Sequence, residues 1–147
     1  MSERSAKAEA MFRSGFNCAQ AVFANYADLF GMDRETALRV AGAMGGGVGR
    51  SGGPCGALCG AVLLAGMRFG QVRDGDKESK ARCYAVAKDV IDRFRGSLGK
   101  IDCRDILGCD MGTPEGRAMA KEKGLLTTIC PRAVVEACRI AEEVLGL

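Results

Sequence analysis

The sequence predicts an all-α fold: a single compact domain over residues 1–147, a bundle of about six or seven helices around one buried central helix. Three observations predict it. Apolar residues recur at helical spacing along the chain, and no segment holds the two-residue alternation of a half-buried strand. The segment Pro54 to Phe69 is apolar around nearly its whole circumference, as a helix enclosed by others must be. The breaks between periodic segments carry helix punctuation, with Asn, Asp or Thr before and Gly after.

Taken in order, a first helix spans about Ser5 to Arg13 and ends at Ser14-Gly15. A second runs from Cys18 to Phe30, with Asn17 as its cap, Gln20 three residues on as in a capping box, and Gly31 as its stop. Asp33 caps a third helix that turns Ala37, Val40 and Ala41 inward. Gly45 to Gly53 is a loop rich in glycine, followed by the central helix with Pro54 at its first position. Asp76 to Arg95 is a long amphipathic helix with Cys83, Val86, Val90 and Phe94 on its apolar stripe. Cys103 to Gly108 reads as one helical turn closed by glycine, and Thr113-Pro114-Glu115 opens a short helix ending at Gly124. Cys130-Pro131 marks Cys130 as the cap of a last helix, Pro131 to Leu145. No fixed-period repeat and no linker divides the chain.

Composition narrows the chemistry. Eight cysteines among 147 residues is about 5%, above ordinary usage and below the roughly 8–10% of a disulfide scaffold. Met1 to Glu9 is polar and mixed in charge, without the apolar core of an export signal, so a cytoplasmic setting with reduced thiols is expected. The longest apolar run, Ala61 to Met67, falls far short of the roughly 20 residues of a membrane span, and no membrane association is expected. The net charge is only +3, basic residues alternate with acidic ones, and the chain has no Trp and two Tyr, so no nucleic-acid partner is expected. Histidine is absent. That removes Ser-His-Asp and Cys-His catalysis, histidine-held zinc, Rieske centres and C-x-x-C-H haem attachment.

The four cysteines Cys18, Cys55, Cys103 and Cys130 all sit where the sequence signals a helix start. A first helical turn offers unpaired N–H groups and a positive dipole end, both of which stabilise a thiolate. A merely buried cysteine behaves as a small apolar residue and has no preference for such a position. A shared metal or redox centre is therefore the candidate site. Cys83 and Cys138 lie on apolar stripes, where packing explains them. Cys59 falls one turn after Cys55 and is a candidate fifth ligand or resolving thiol, and Cys109 is placed in a loop without an assigned role. No C-x-x-C occurs, so ligands must converge from distant segments. Gly47 to Gly52 matches G-x-G-x-x-G formally, but no strand precedes it and no lysine follows, so it reads as an amide-lined nest ahead of Cys55 rather than a nucleotide loop.

With these pieces in place the chain resembles the family named for its cysteine pattern, C_GCAxxG_C_C. The resemblance rests on Phe16-Asn17-Cys18-Ala19-Gln20, the glycine loop with Cys55-Gly56-Ala57-Leu58-Cys59-Gly60, Ile101 to Gly108, Thr113 to Gly116 and Thr128-Ile129-Cys130-Pro131. It implies a small redox-active bacterial or archaeal protein, associated with oxidoreductase or transport systems, with its four family cysteines at Cys18, Cys55, Cys103 and Cys130. It leaves Cys59 at a variable position. The leading expectation is an electron-transfer protein holding a [2Fe–2S] or [4Fe–4S] cluster on those four thiolates and exchanging electrons with a redox partner protein. The alternatives are a thiol-based enzyme or sensor in which Cys55 attacks and Cys59 or another cysteine resolves, and a zinc or copper(I) thiolate site. Whether the protein is an enzyme stays open at this point, and the apolar helix faces leave a homodimer as a further expectation.

Overall fold

The computed structural model describes all 147 residues and contains eight α-helices and no strand. They are α1 (Glu3–Arg13), α2 (Cys18–Phe23), α3 (Arg34–Val40), α4 (Gly56–Phe69), α5 (Lys77–Leu98), α6 (Cys103–Leu107), α7 (Pro114–Glu122) and α8 (Leu125–Leu145), with a 3₁₀ turn at Ala27–Phe30. Four helix starts read from the sequence carry side-chain caps. The Asn17 side chain accepts from Gln20 N at 2.8 Å while Gln20 Oε1 accepts from Asn17 N at 3.0 Å, and Asp33, Asp76 and Thr113 each cap through the amide three residues on.

Helix α4 is central, packed by α2, α5 and α8. Its buried face is made of small residues, Gly56, Ala57, Gly60, Ala61 and Ala65, with Leu58 and Leu64. That face lets α2 approach so closely that a Cβ at Gly60 would stand 2.8 Å from Val22 Cβ. The large buried side chains, Phe23, Tyr26, Leu64, Val90, Phe94 and Ile140, fill the space among these helices, each stabilising by about 1.5–3 kcal/mol. A second, smaller cluster joins α6, α7 and the start of α8 through Cys103, Leu107, Cys109, Met111 and Ala120. Exposed i,i+4 ion pairs such as Arg13–Glu9 and Arg93–Asp89 decorate the outer faces and contribute about 0.3–0.5 kcal/mol each.

Several expectations differ: α4 begins at Gly56 with Cys55 as its N-cap, so Pro54 precedes it rather than opening it, and Val40, expected to face inward on α3, is exposed. The helix expected over Cys18 to Phe30 stops at Phe23 and resumes as the 3₁₀ turn. The break is held from afar: Arg4 donates to the Asn25 carbonyl and, at 2.8 Å, to the Asp28 carboxylate, and the Asn25 amide donates back to the Arg4 carbonyl. The last helix begins at Leu125, a turn and a half before Pro131, which lies inside it. Cys130 is therefore not a cap. Proline has no N–H for the Thr127 carbonyl one turn back, and that orphaned acceptor is taken by Arg13 Nη1 at 3.4 Å. The substitution of donors lets the helix run through the proline.

Candidate functional site

Cys18 is the first residue of α2 and Cys55 the N-cap of α4. Cys103 opens α6 behind the cap Asp102. Cys55 and Cys103 are tied side by side through an isolated antiparallel bridge, in which Cys55 N donates to Ile101 O and Cys103 N donates to Gly53 O, both at 2.7 Å. Sequence reasoning missed this pairing, because a single bridge has no periodicity to read. All four of Cys18, Cys55, Cys103 and Cys130 line one cavity of about 850 Å³ between the glycine loop, α1, α6 and α8. The four distant segments thus meet at one cavity, with Cys130 brought there by the first turns of α8 rather than by a cap.

The glycine loop builds one wall of this cavity. Gly46, Gly47, Val48, Gly49 and Arg50 all have φ between 61° and 74°, a run of left-handed backbone that closes with Arg50 N on Gly45 O at 3.0 Å and Gly53 N on Gly47 O at 2.9 Å. Its leading amides, Gly45 to Gly47, have no main-chain partner, and the Gly46 amide with those of Cys18 and Ala19 at the start of α2 favours a Cys18 thiolate. The nest expected ahead of Cys55 therefore acts on Cys18. Gly56 completes the fit, since a Cβ there would collide with Cys18 Sγ.

These donors set the acid–base order of the thiols. The neighbouring Cys55 thiol and these three amides lower Cys18 to about 7. Cys55 is raised by that same pairing and by burial. Burial pushes Cys103 up to about 11 and Cys130 up to about 12, with the charge of a Cys18 thiolate adding to both. These causes favour the thiolate on Cys18 within the pair, whereas the sequence reading makes Cys55 the attacking thiol.

The remaining cysteines divide. Cys59 lies outside the cavity, in a separate apolar groove with Leu58, Val62, Leu63 and Ile91, and burial pushes it up to about 11. Cys138 is wholly buried beside Tyr26, and Cys83 sits half-buried with its sulfur 4.0 Å from Ala65 O. Cys109, left unassigned by the sequence, is buried in the cluster that contains Cys103 and borders Cys130. Only its six-residue spacing from Cys103 was available as a signal.

No three His, Cys, Asp or Glu side chains stand close enough together to hold a single metal ion. A tetrahedral zinc with bonds of about 2.3 Å draws its sulfurs to roughly 3.8 Å from one another. A polynuclear cluster instead takes one or two thiolates per iron and keeps the others apart. Four thiols and no carboxylate line the cavity, a donor set of the kind such a cluster uses. Comparison with curated proteins and with solved structures returns no match. The family model described as "Putative redox-active protein (C_GCAxxG_C_C)" matches residues 16–144. The chain belongs to the C_GCAxxG_C_C family of redox-active proteins.

Proposed function

We propose that the protein is an electron carrier whose redox centre is an iron–sulfur cluster held by Cys18, Cys55, Cys103 and Cys130. The observation that carries this reading is the convergence of these four thiols, and no carboxylate, on one cavity lined by free backbone amides. Such a cluster supplies one-electron storage at a potential set by hydrogen bonds to its sulfurs. The chain's own contribution is electrostatic: the α2 and glycine-loop amides that stabilise a Cys18 thiolate stabilise the added negative charge of a reduced centre. Loading must displace protons from Cys55, Cys103 and Cys130, whose pKa values lie above neutrality, so assembly weakens as pH falls. Electrons arrive from and leave to a redox partner protein in the cytoplasm.

The test is anaerobic purification followed by iron and acid-labile sulfide analysis and a visible spectrum. The reading expects equimolar iron and sulfide with charge-transfer absorption that bleaches on reduction. Colourless protein without iron after anaerobic reconstitution would falsify it. One observation favours a second reading: the Cys18–Cys55 pair, one thiolate near neutrality hydrogen-bonded to one thiol, is also the resting arrangement of a dithiol that cycles through a disulfide. A colourless protein that consumes organic disulfides through Cys18 belongs to that class.

A further inference from the structure

The cavity is larger than its thiols require. Metal–sulfur bonds of about 2.3 Å make a cluster core on the order of 100–200 Å³, whereas the cavity measures about 850 Å³, within the roughly 300–1,000 Å³ of small-molecule sites. Its walls beyond the cysteines are apolar, with Phe12, Phe16, Ile106, Met111 and Leu126 among them. Its only charged residues are Arg13 and Arg50, and no carboxylate lines it. Arg13 is already engaged by Glu9 and by the Thr127 carbonyl. Arg50 is not: no ion pair involves it. Its backbone is held at φ 61°, and it folds over Gly46, where a Cβ would meet its Cγ at 2.7 Å. Arg50 thus stands exposed on the cavity wall with its stem against Gly46.

We infer that this cavity is a binding site for a small organic anion with an apolar body, whose charge is met by the Arg50 guanidinium and whose body lies on the Phe16, Ile106 and Met111 wall beside the sulfur centre. A free guanidinium above an apolar, carboxylate-free chamber selects such a ligand against neutral and cationic ones, since a charge-assisted bond forms only with the anion. The site goes beyond the electron-carrier reading and stands whether or not the thiols carry iron. A non-glycine residue in left-handed backbone lowers stability, so Arg50 is a position where glycine is the more stable choice and arginine the functional one.

The test uses two dyes with the same aryl body, 8-anilinonaphthalene-1-sulfonate and its uncharged analogue N-phenyl-1-naphthylamine, titrated by fluorescence into the full chain as purified anaerobically and after chelation. The sulfonate is expected to bind more tightly than the neutral dye. Arg50→Gln should weaken the sulfonate by about tenfold, the cost of one charge-assisted contact of ~1.4 kcal/mol, and leave the neutral dye unchanged, while Arg50→Lys retains most of the preference. Arg50→Gly should lower sulfonate affinity equally and raise the melting temperature, opposite directions that a merely structural arginine does not give. Leu126→Trp, which fills the chamber, should weaken both dyes. Equal sulfonate binding by wild type and Arg50→Gln, equal loss of both dyes in that variant, or no sulfonate binding by folded protein overturns the site. Iron analysis of the same samples keeps the two readings separable: iron-free protein with Arg50-dependent binding sinks the cluster alone, and iron-loaded protein without dye binding sinks the site alone.

Discussion

Helix α4 contains three glycines in three different surroundings, and alanine substitution should read them out with opposite signs. Alanine in an exposed helix interior is favoured over glycine by about 0.5–1 kcal/mol. At Gly66 a new Cβ meets nothing within 4 Å, so Gly66→Ala should stabilise by about that amount. At Gly60 the Cβ would stand 2.8 Å from Val22 Cβ, 3.0 Å from Ala19 O and 3.2 Å from Phe23 N. Two of those three are backbone atoms of α2 and cannot rotate away, so α2 and α4 must separate, and overpacking of this kind costs about 1–3 kcal/mol. At Gly56 the Cβ would collide with Cys18 Sγ and lie 3.0 Å from Met44 O, which adds expulsion of the sulfur from its amide nest. Net of propensity, Gly60→Ala and Gly56→Ala should each destabilise by about 1–2 kcal/mol, or roughly 2–8 °C in melting temperature for a chain of this size. Thermal melts followed by far-UV circular dichroism give the stabilities. The alkylation rate of Cys18 at neutral pH separates the two: it should fall in Gly56→Ala and much less in Gly60→Ala. If Gly56→Ala melts at or above wild type with Cys18 equally reactive, the close approach of α4 to Cys18 is wrong, and with it the account of why that thiol is acidic.

Three further outcomes are expected. In metal-free protein, alkylation of Cys18 should rise with pH through a midpoint at about 7, and Cys55→Ala should move that midpoint up by removing the S–H donor; because the folded thiol ionises at about 7 against 9.0 ordinarily, this group's contribution to stability is present above pH 9 and lost as pH falls through 7. Val48→Gly should stabilise by about 1–2 kcal/mol in chemical denaturation, since a β-branched side chain at φ 67° carries left-handed strain; no gain would argue that the loop adopts another conformation in solution. Cys138→Ser should destabilise by about 1–3 kcal/mol, the cost of burying a hydroxyl in place of the thiol, while leaving any bound iron unchanged, and an altered iron content would place Cys138 at the centre after all.

The features legible in the sequence are those fixed by local chemistry. Asn17 and Gln20 announce the start of α2, Gly108 closes the single turn of α6, and the apolar circumference of α4 identifies the central helix. The features that were not legible are imposed from a distance. Nothing near Asn25 foretells that Arg4 will break the helix there, and nothing near Pro131 foretells that Arg13 will take the Thr127 carbonyl and let α8 begin at Leu125. The same holds at the site. Four cysteines were identifiable as a set, but which of them is acidic depends on the loop amide of Gly46 and the donor Cys55 meeting Cys18, a tertiary arrangement. The role of Arg50 likewise appears only once the loop is seen to fold it over Gly46 at the cavity wall.

The central claim is that Cys18, Cys55, Cys103 and Cys130 form one centre and the other cysteines stand outside it. Iron per chain, measured after anaerobic reconstitution across eight single Cys→Ser variants, tests this most directly. The account predicts that each of those four substitutions lowers iron sharply and lowers the melting temperature of the loaded protein with it, while Cys59→Ser, Cys83→Ser, Cys109→Ser and Cys138→Ser keep wild-type iron. Iron that survives substitution of any two of the four, or that depends equally on Cys59 or Cys83, would contradict it.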